Sequence, residues 1–279
     1  QSDILSDAHA ASALMTDELI AADKRLDALG GSAGAILALL RLYRDTEASD
    51  VLARAVACGE HLLRQERTGS EGARSWVGFG LGEKPLNGMS HGAAGFAYAL
   101  ASLANATGRD DFRNAASECL AFENATYDAD RHNWPDLRHK GEPGWACRWC
   151  HGAPGIGLAR AALLKQRCMN VTVLQSDIRN ALVGVEQNWP TEIDTLCCGT
   201  LGSVEFLCEA GDALERPDVS QMAAARLAAV VEAARAAGDY RWNSGKRRFN
   251  LGLFRGLAGV GYTLLRQRDD TLPNVLIWE

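Results

Sequence analysis

One phrase recurs five times along this chain, and it restricts the possible folds more than any other feature. It reads Gly30-Gly-Ser-Ala-Gly34, Ser90-His-Gly-Ala-Ala-Gly95, Cys150-His-Gly-Ala-Pro-Gly155, Cys198-Gly-Thr-Leu-Gly202 and Arg255-Gly-Leu-Ala-Gly259. The closing glycines stand 61, 60, 47 and 57 residues apart. Self-similarity at a nearly fixed period marks a repeat architecture. An apolar run follows each phrase: Ile36 to Leu42, Phe96 to Leu103, Ile156 to Leu164, Val204 to Leu207 and Val260 to Leu265. Helices apolar over most of their surface are inner helices. Glycine at their starts lets the chain turn tightly and lets helix ends approach one another or a ligand. Amphipathic stretches lie between the phrases, such as Val51 to Leu63 and Val219 to Ala236. In the first, Val51, Leu52, Ala55, Cys58 and Leu62 share one face. The expectation is an all-α fold of paired inner and outer helices closed into a double ring.

Three long stretches break the helical period: 68–89, 129–149 and 239–250. The last is expected to form a β-hairpin around Asn243-Ser-Gly245. Loops of this length inside a domain are usually functional, and all three are expected to wall the mouth of one cavity. No linker or composition shift interrupts the chain, so residues 1–279 are expected to form a single domain. The polar start, Gln1 to Ala10, lacks a signal peptide's pattern and an initiator Met. The domain is therefore expected to be cut from something longer. No apolar run reaches the ~18 residues of a membrane span. The charge balance, 29 basic against 35 acidic residues, contains no block of one sign. Nothing therefore points to nucleic acid.

Of the eight cysteines, Cys58, Cys119, Cys168 and Cys208 lie in or beside helical patterns, where a free Cys packs as a small apolar residue. Cys150 and the adjacent pair Cys197-Cys198 instead sit at helix-opening phrases. Three thiolates gathered from two helix starts would make a zinc site with its fourth position open, the pattern of catalytic zinc. A single cysteine of this kind is more often plain core; three at matching repeat positions point to metal. Cys147-x-x-Cys150 has no second CxxC and no redox-fold context, so Cys147 reads as a bystander. His91 occupies the repeat position that Cys198 holds later, which places it at the same end of the ring. Asp27, just ahead of the first phrase, reads by itself as a solvated helix-end residue. His151 follows Cys150 directly, and spacing leaves it open as a fourth ligand, a proton donor or a helix-start residue. His9, His61, His132 and His139 lack this register and read as surface or packing.

With these motifs in order, the chain resembles the lanthionine synthetase C-like (LanC-like) cyclases. More narrowly, it is similar to the C-terminal cyclase domain of class II lanthipeptide synthetases, the LanM group. The residues that carry the resemblance are Asp27-Ala-Leu-Gly-Gly-Ser-Ala-Gly34, Asn87-Gly-Met-Ser-His-Gly-Ala-Ala-Gly95, Trp149-Cys-His-Gly-Ala-Pro-Gly-Ile-Gly157, Cys197-Cys-Gly-Thr-Leu-Gly202 and Gly252-Leu-Phe-Arg-Gly-Leu-Ala-Gly-Val-Gly261. The ending Leu272-Pro-Asn-Val-Leu-Ile-Trp-Glu279 adds to it. The resemblance implies an α/α toroid with short β-hairpin loops at its mouth and one zinc ion held by Cys150, Cys197 and Cys198. It makes His91 and Asp27 the catalytic pair and His151 an auxiliary site residue. Many relatives carry Cys-His where this chain has Cys197-Cys198, and the variant resembles a three-cysteine LanM subgroup. Some relatives place an Arg four residues before the first zinc cysteine; here that position is Ala146, with Arg148 two residues on.

The implied reaction is ring closure in a dehydrated precursor peptide, whose Cys thiolate adds to a dehydroalanine or dehydrobutyrine to form a thioether. The implied setting is the bacterial cytoplasm, as a monomeric unit beside an N-terminal dehydratase domain in the full-length enzyme. No part of the chain resembles that dehydratase domain. A peptide thiol is mostly protonated at neutral pH, and zinc coordination removes the proton. A fourth thiolate would leave about two net negative charges on the cluster, so the bound sulfur should be more reactive than at a Cys-Cys-His site. The enolate formed by attack needs a proton, and histidine is the side chain that titrates near neutral pH. Two other readings are a zinc-thiolate transferase that adds a free thiol such as glutathione, and a non-catalytic toroid that binds a peptide. An α/α-barrel glycosidase is disfavoured because paired acidic residues are missing from the phrases.

Overall fold

Each of the five glycine phrases starts a helix, and the reason is steric. In the computed structural model, which describes residues 2–78, 82–138, 141–242 and 250–279, the capping residues are Gly31, Gly92, Gly152, Gly199 and Gly256. A Cβ on the closing glycine of the phrase would strike the carbonyl oxygen six residues earlier. Gly95 would meet Met89 O at 2.3 Å and Gly155 would meet Trp149 O at 1.8 Å, and the other three phrases repeat the collision. The approaching loop thus folds directly onto the first helical turn, which no residue with a side chain permits.

Two short helices come first, α1 (Ser2–Ser12) and α2 (Asp17–Ala22). Helices then alternate in character: α3 (Ser32–Thr46), α4 (Ser49–Arg64), α5 (Ala93–Thr107), α6 (Asp110–Asn124), α7 (Ala153–Gln166), α8 (Val171–Gln187), α9 (Thr200–Ala213), α10 (Pro217–Ala237) and α11 (Leu257–Arg266). The phrase-started helices are the inner ones. α7 is buried without a break from Ala153 to Leu164. Its neighbour α8 buries a single stripe, Leu174, Asp177, Ile178, Ala181, Leu182 and Val185, at the spacing of one helix face. Each of α3, α5, α7 and α9 packs on the outer helix that follows it, and the inner helices pack in the order α3, α5, α7, α9, α11. This is the expected α/α toroid; the fifth inner helix, α11, is followed by the C-terminal segment in place of an outer helix.

That segment, with a 3-10 turn at Val275–Ile277, packs against the inner helices with Leu276 and Ile277 buried. Its carbonyls accept hydrogen bonds from Tyr262 Oη on α11 (to Pro273, 2.8 Å), Trp149 Nε1 ahead of α7 (to Leu276, 3.2 Å), Tyr98 Oη on α5 (to Ile277, 2.7 Å) and Arg44 Nη2 on α3 (to Trp278, 3.2 Å). Asn274 Nδ2 donates to Glu209 Oε1 on α9 at 3.1 Å. The segment thus bonds to all five inner repeats.

Among the described residues the sheet is one antiparallel hairpin, β1 (Thr68–Ser70) with β2 (Ala73–Ser75), with Thr68 opposite Ser75. The 129–149 stretch holds isolated bridges at Asp128–Asn133 and Asp136–Gly144. The hairpin expected around Asn243-Ser-Gly245 falls outside the described residues. Among the described residues no helix is long and apolar enough to cross a membrane.

Candidate metal centre

The turns that start the inner helices are stitched to one another. The residue two before each capping glycine donates its N–H to the carbonyl of the same residue in the next repeat. Leu29 donates to Ser90 (3.1 Å), Ser90 to Cys150 (3.4 Å), Cys150 to Cys197 (3.3 Å) and Cys197 to Phe254 (2.9 Å). Five turns therefore stand side by side at one end of the toroid. The residue just before the glycine is Gly30, His91, His151, Cys198 and Arg255 in turn, all in equivalent positions.

This stitching brings the three cysteines together. Cys198 Sγ lies 3.7 Å from Cys150 Sγ and 3.3 Å from Cys197 Sγ, and all three sulfurs fall within 4.8 Å of one another. A tetrahedral zinc with Zn–S bonds of ~2.3 Å would hold its sulfurs ~3.8 Å apart, so the spacing fits. An all-sulfur donor set selects a thiophilic ion over magnesium or calcium. The charge state fits as well. Contacts with Cys150 and Cys197 pull the Cys198 thiol well below the usual thiol range, against burial and with help from Arg255 and Arg148. The same contacts, from Cys197 and Cys198, with burial behind them, push Cys150 far above the usual thiol range. Cys197 is raised: the Cys150 contact lowers it, but the Cys198 contact and burial outweigh that. A divalent cation held by the three sulfurs would displace the thiol protons. The N-termini of α7 and α9 begin just after the cysteines, and their partial positive charge favours thiolate.

Asp27 and His91 meet across the first two turns. Asp27 Oδ1 accepts from the N–H groups of Leu29 (3.0 Å) and Gly30 (2.8 Å), and Oδ2 accepts from His91 Nδ1 at 2.8 Å. A carboxylate only accepts, so Nδ1 carries the proton and Nε2 is left to exchange one. Asp27 is thus no solvated helix-end residue; it is buried, and its role comes from turn geometry that spacing does not display.

His151 stands 6.0 Å from His91, centroid to centroid. Its Nδ1 donates to Asn87 O at 3.2 Å, and its buried Nε2 has no partner among the described residues. Burial, reinforced by the charge of Arg138, lowers its pKa to about 4, so the ring is neutral. His151 contributes no nitrogen to the three-sulfur group. The bystander reading of Cys147 agrees with its place: it is buried against Gly184 O at 3.8 Å, and burial pushes its thiol up to about 12.

Two residues near the sulfurs escape the sequence reading. Arg138, in the 129–149 loop, is paired with Asp136 at 2.5 Å, and its charge reaches Cys150 and Cys198. Arg255 lies beside Cys197 and Cys198. Register alone could have found Arg255, since it fills the position of His91 and Cys198. Nothing in the sequence marks Arg138.

Among curated proteins, none matches the chain. A family model described as lanthionine synthetase C-like protein matches residues 1–277. With a toroid of five glycine-started inner helices and a three-cysteine cluster at the mouth, the chain belongs to the lanthionine synthetase C-like family.

Proposed function

We propose that this chain is the zinc-dependent cyclase domain of a class II lanthipeptide synthetase, closing thioether rings in a dehydrated precursor peptide. In the full-length enzyme, dehydration would belong to a separate N-terminal domain. The observation that carries this reading is the convergence of the three sulfurs with the Asp27–His91 pair on one stitched row of turns.

The chemistry that zinc supplies when held by Cys150, Cys197 and Cys198 is deprotonation of an arriving peptide thiol, whose thiolate is the nucleophile. The sulfur–carbon bond forms at the β-carbon of the dehydro residue, and the double-bond electrons move toward the carbonyl. His91 Nε2 takes up the proton that the thiol loses and gives it to the α-carbon, while Asp27 keeps Nδ1 protonated and the ring in place. Neutral His151, locked by Asn87 O, leaves an acceptor nitrogen beside His91. The net change is addition of S–H across C=C, with no change of oxidation state. Leu29 and Leu257, in the first and last turns, are exposed and offer apolar contacts to the peptide.

The test is mass spectrometry of a dehydrated, cysteine-containing peptide after incubation with zinc-loaded protein and alkylation of free thiols. Ring closure blocks alkylation at unchanged peptide mass. Full alkylation of every cysteine would overturn the proposal.

A further inference from the structure

Arg255 fills, in the fifth turn, the position that His91, His151 and Cys198 fill in the three turns before it. The turn is fixed against the cluster: Cys197 N donates to Phe254 O at 2.9 Å, and Asn250 Nδ2 donates to Arg255 O at 3.2 Å. That position sets the Arg255 guanidinium beside the cluster, where its charge acts on all three sulfurs, Cys198 most strongly. Arg138 also faces the sulfurs, but its charge is committed to Asp136, and Arg148 acts on Cys198 less strongly than Arg255 does. Among the described residues no carboxylate pairs with Arg255.

The need for such a charge follows from the donor set. Three thiolates around a divalent cation carry a net negative charge, and a fourth thiolate adds another. A site with one histidine in place of a cysteine would carry one negative charge fewer. Partly buried excess charge is costly unless compensated.

We propose that Arg255 is the counter-charge of the three-cysteine site, a positioning residue that acts through Cys197 and Cys198 to stabilise their anionic, metal-holding form. The inference rests on the zinc reading given above and extends it to a residue outside the ligand set.

The experiment compares parent protein with Arg255→Gln and Arg255→Lys by competition for zinc against a chelator, at low salt and at about 1 M salt. Thermal melting of the metal-stripped proteins runs alongside. Arg255 is exposed, so its charge acts partly through solvent. Arg255→Gln should lose zinc about fivefold more readily at low salt, from one unit charge at contact distance in a watery setting. The difference should shrink at about 1 M salt, where the screening length is ~3 Å. Arg255→Lys should restore most of the loss, and the metal-stripped melting temperatures should agree. Equal zinc retention by Arg255→Gln overturns this inference alone. So does a loss that neither lysine nor salt alters, which would mark a packing role. A parent that holds no zinc overturns this inference and the proposed function together.

Discussion

At the scale of single residues, register carries more information than residue type. Cys150 and Cys197 occupy one repeat position and Cys198 the next, and the backbone stitching turns that register into sulfur contacts of 3.3 and 3.7 Å. Register likewise marks His91 from sequence. It does not mark Asp27, which is defined by three hydrogen bonds in a turn of its own. Residue roles at the site follow from these contacts. His91→Asn should leave zinc retention unchanged, because no ligand is lost, and should slow ring closure about 10²- to 10⁴-fold, the usual worth of a general acid. Zinc content and single-turnover rates check both halves; an unchanged rate would remove His91 from the chemistry.

At the scale of elements, buried charge holds the site-bearing loops to the helices. Arg160 on α7 donates to Glu123 at the end of α6 (2.8 Å) and to Asp177 on α8 (3.0 Å), with the arginine and the glutamate side chains both fully buried. Glu123 also accepts from Gly88 N at 2.8 Å, in the loop that leads to His91 and supplies Asn87 O to His151. None of this is legible in the sequence, where Arg160 sits within an otherwise apolar run and breaks its pattern. Glu123→Ala would remove one of the two carboxylates of Arg160, leaving its Nη2 and the Gly88 N–H without an acceptor in the core, and should cost about 2–3 kcal/mol, measured by denaturant unfolding. The loop over the site has its own pH signature. Burial raises the Asp136 carboxyl, but hydrogen bonds from Arg138 outweigh it and hold the group down at about 2. A depressed carboxylate contributes stability above its unfolded value that is lost as pH falls toward the folded one. The melting temperature of the parent should therefore exceed that of Asp136→Asn at pH 6, and the gap should close as pH falls toward about 2. A gap that widens on acidification would reverse the assignment.

At the scale of the whole molecule, five inner helices point their N-termini at one mouth, and their backbone turns bond in sequence order. That much was readable, because apolar inner runs, amphipathic outer runs and glycine phrases each have a period or a steric signature. The bonding of the C-terminal segment to all five inner repeats was not. Leu272-Pro-Asn-Val-Leu-Ile-Trp reads as an ordinary apolar strip, and its place is set largely by backbone carbonyls that accept bonds from distant repeats. The toroid and its family leave one claim at the centre of the account: the cysteine cluster is a zinc site. Its most direct test is zinc content per chain in purified protein, beside a Cys198→Ala variant of equal helicity. The parent should hold about one zinc per chain and the variant should lose most of it. A parent free of zinc after metal-replete preparation, or a variant that keeps its full complement, would contradict it.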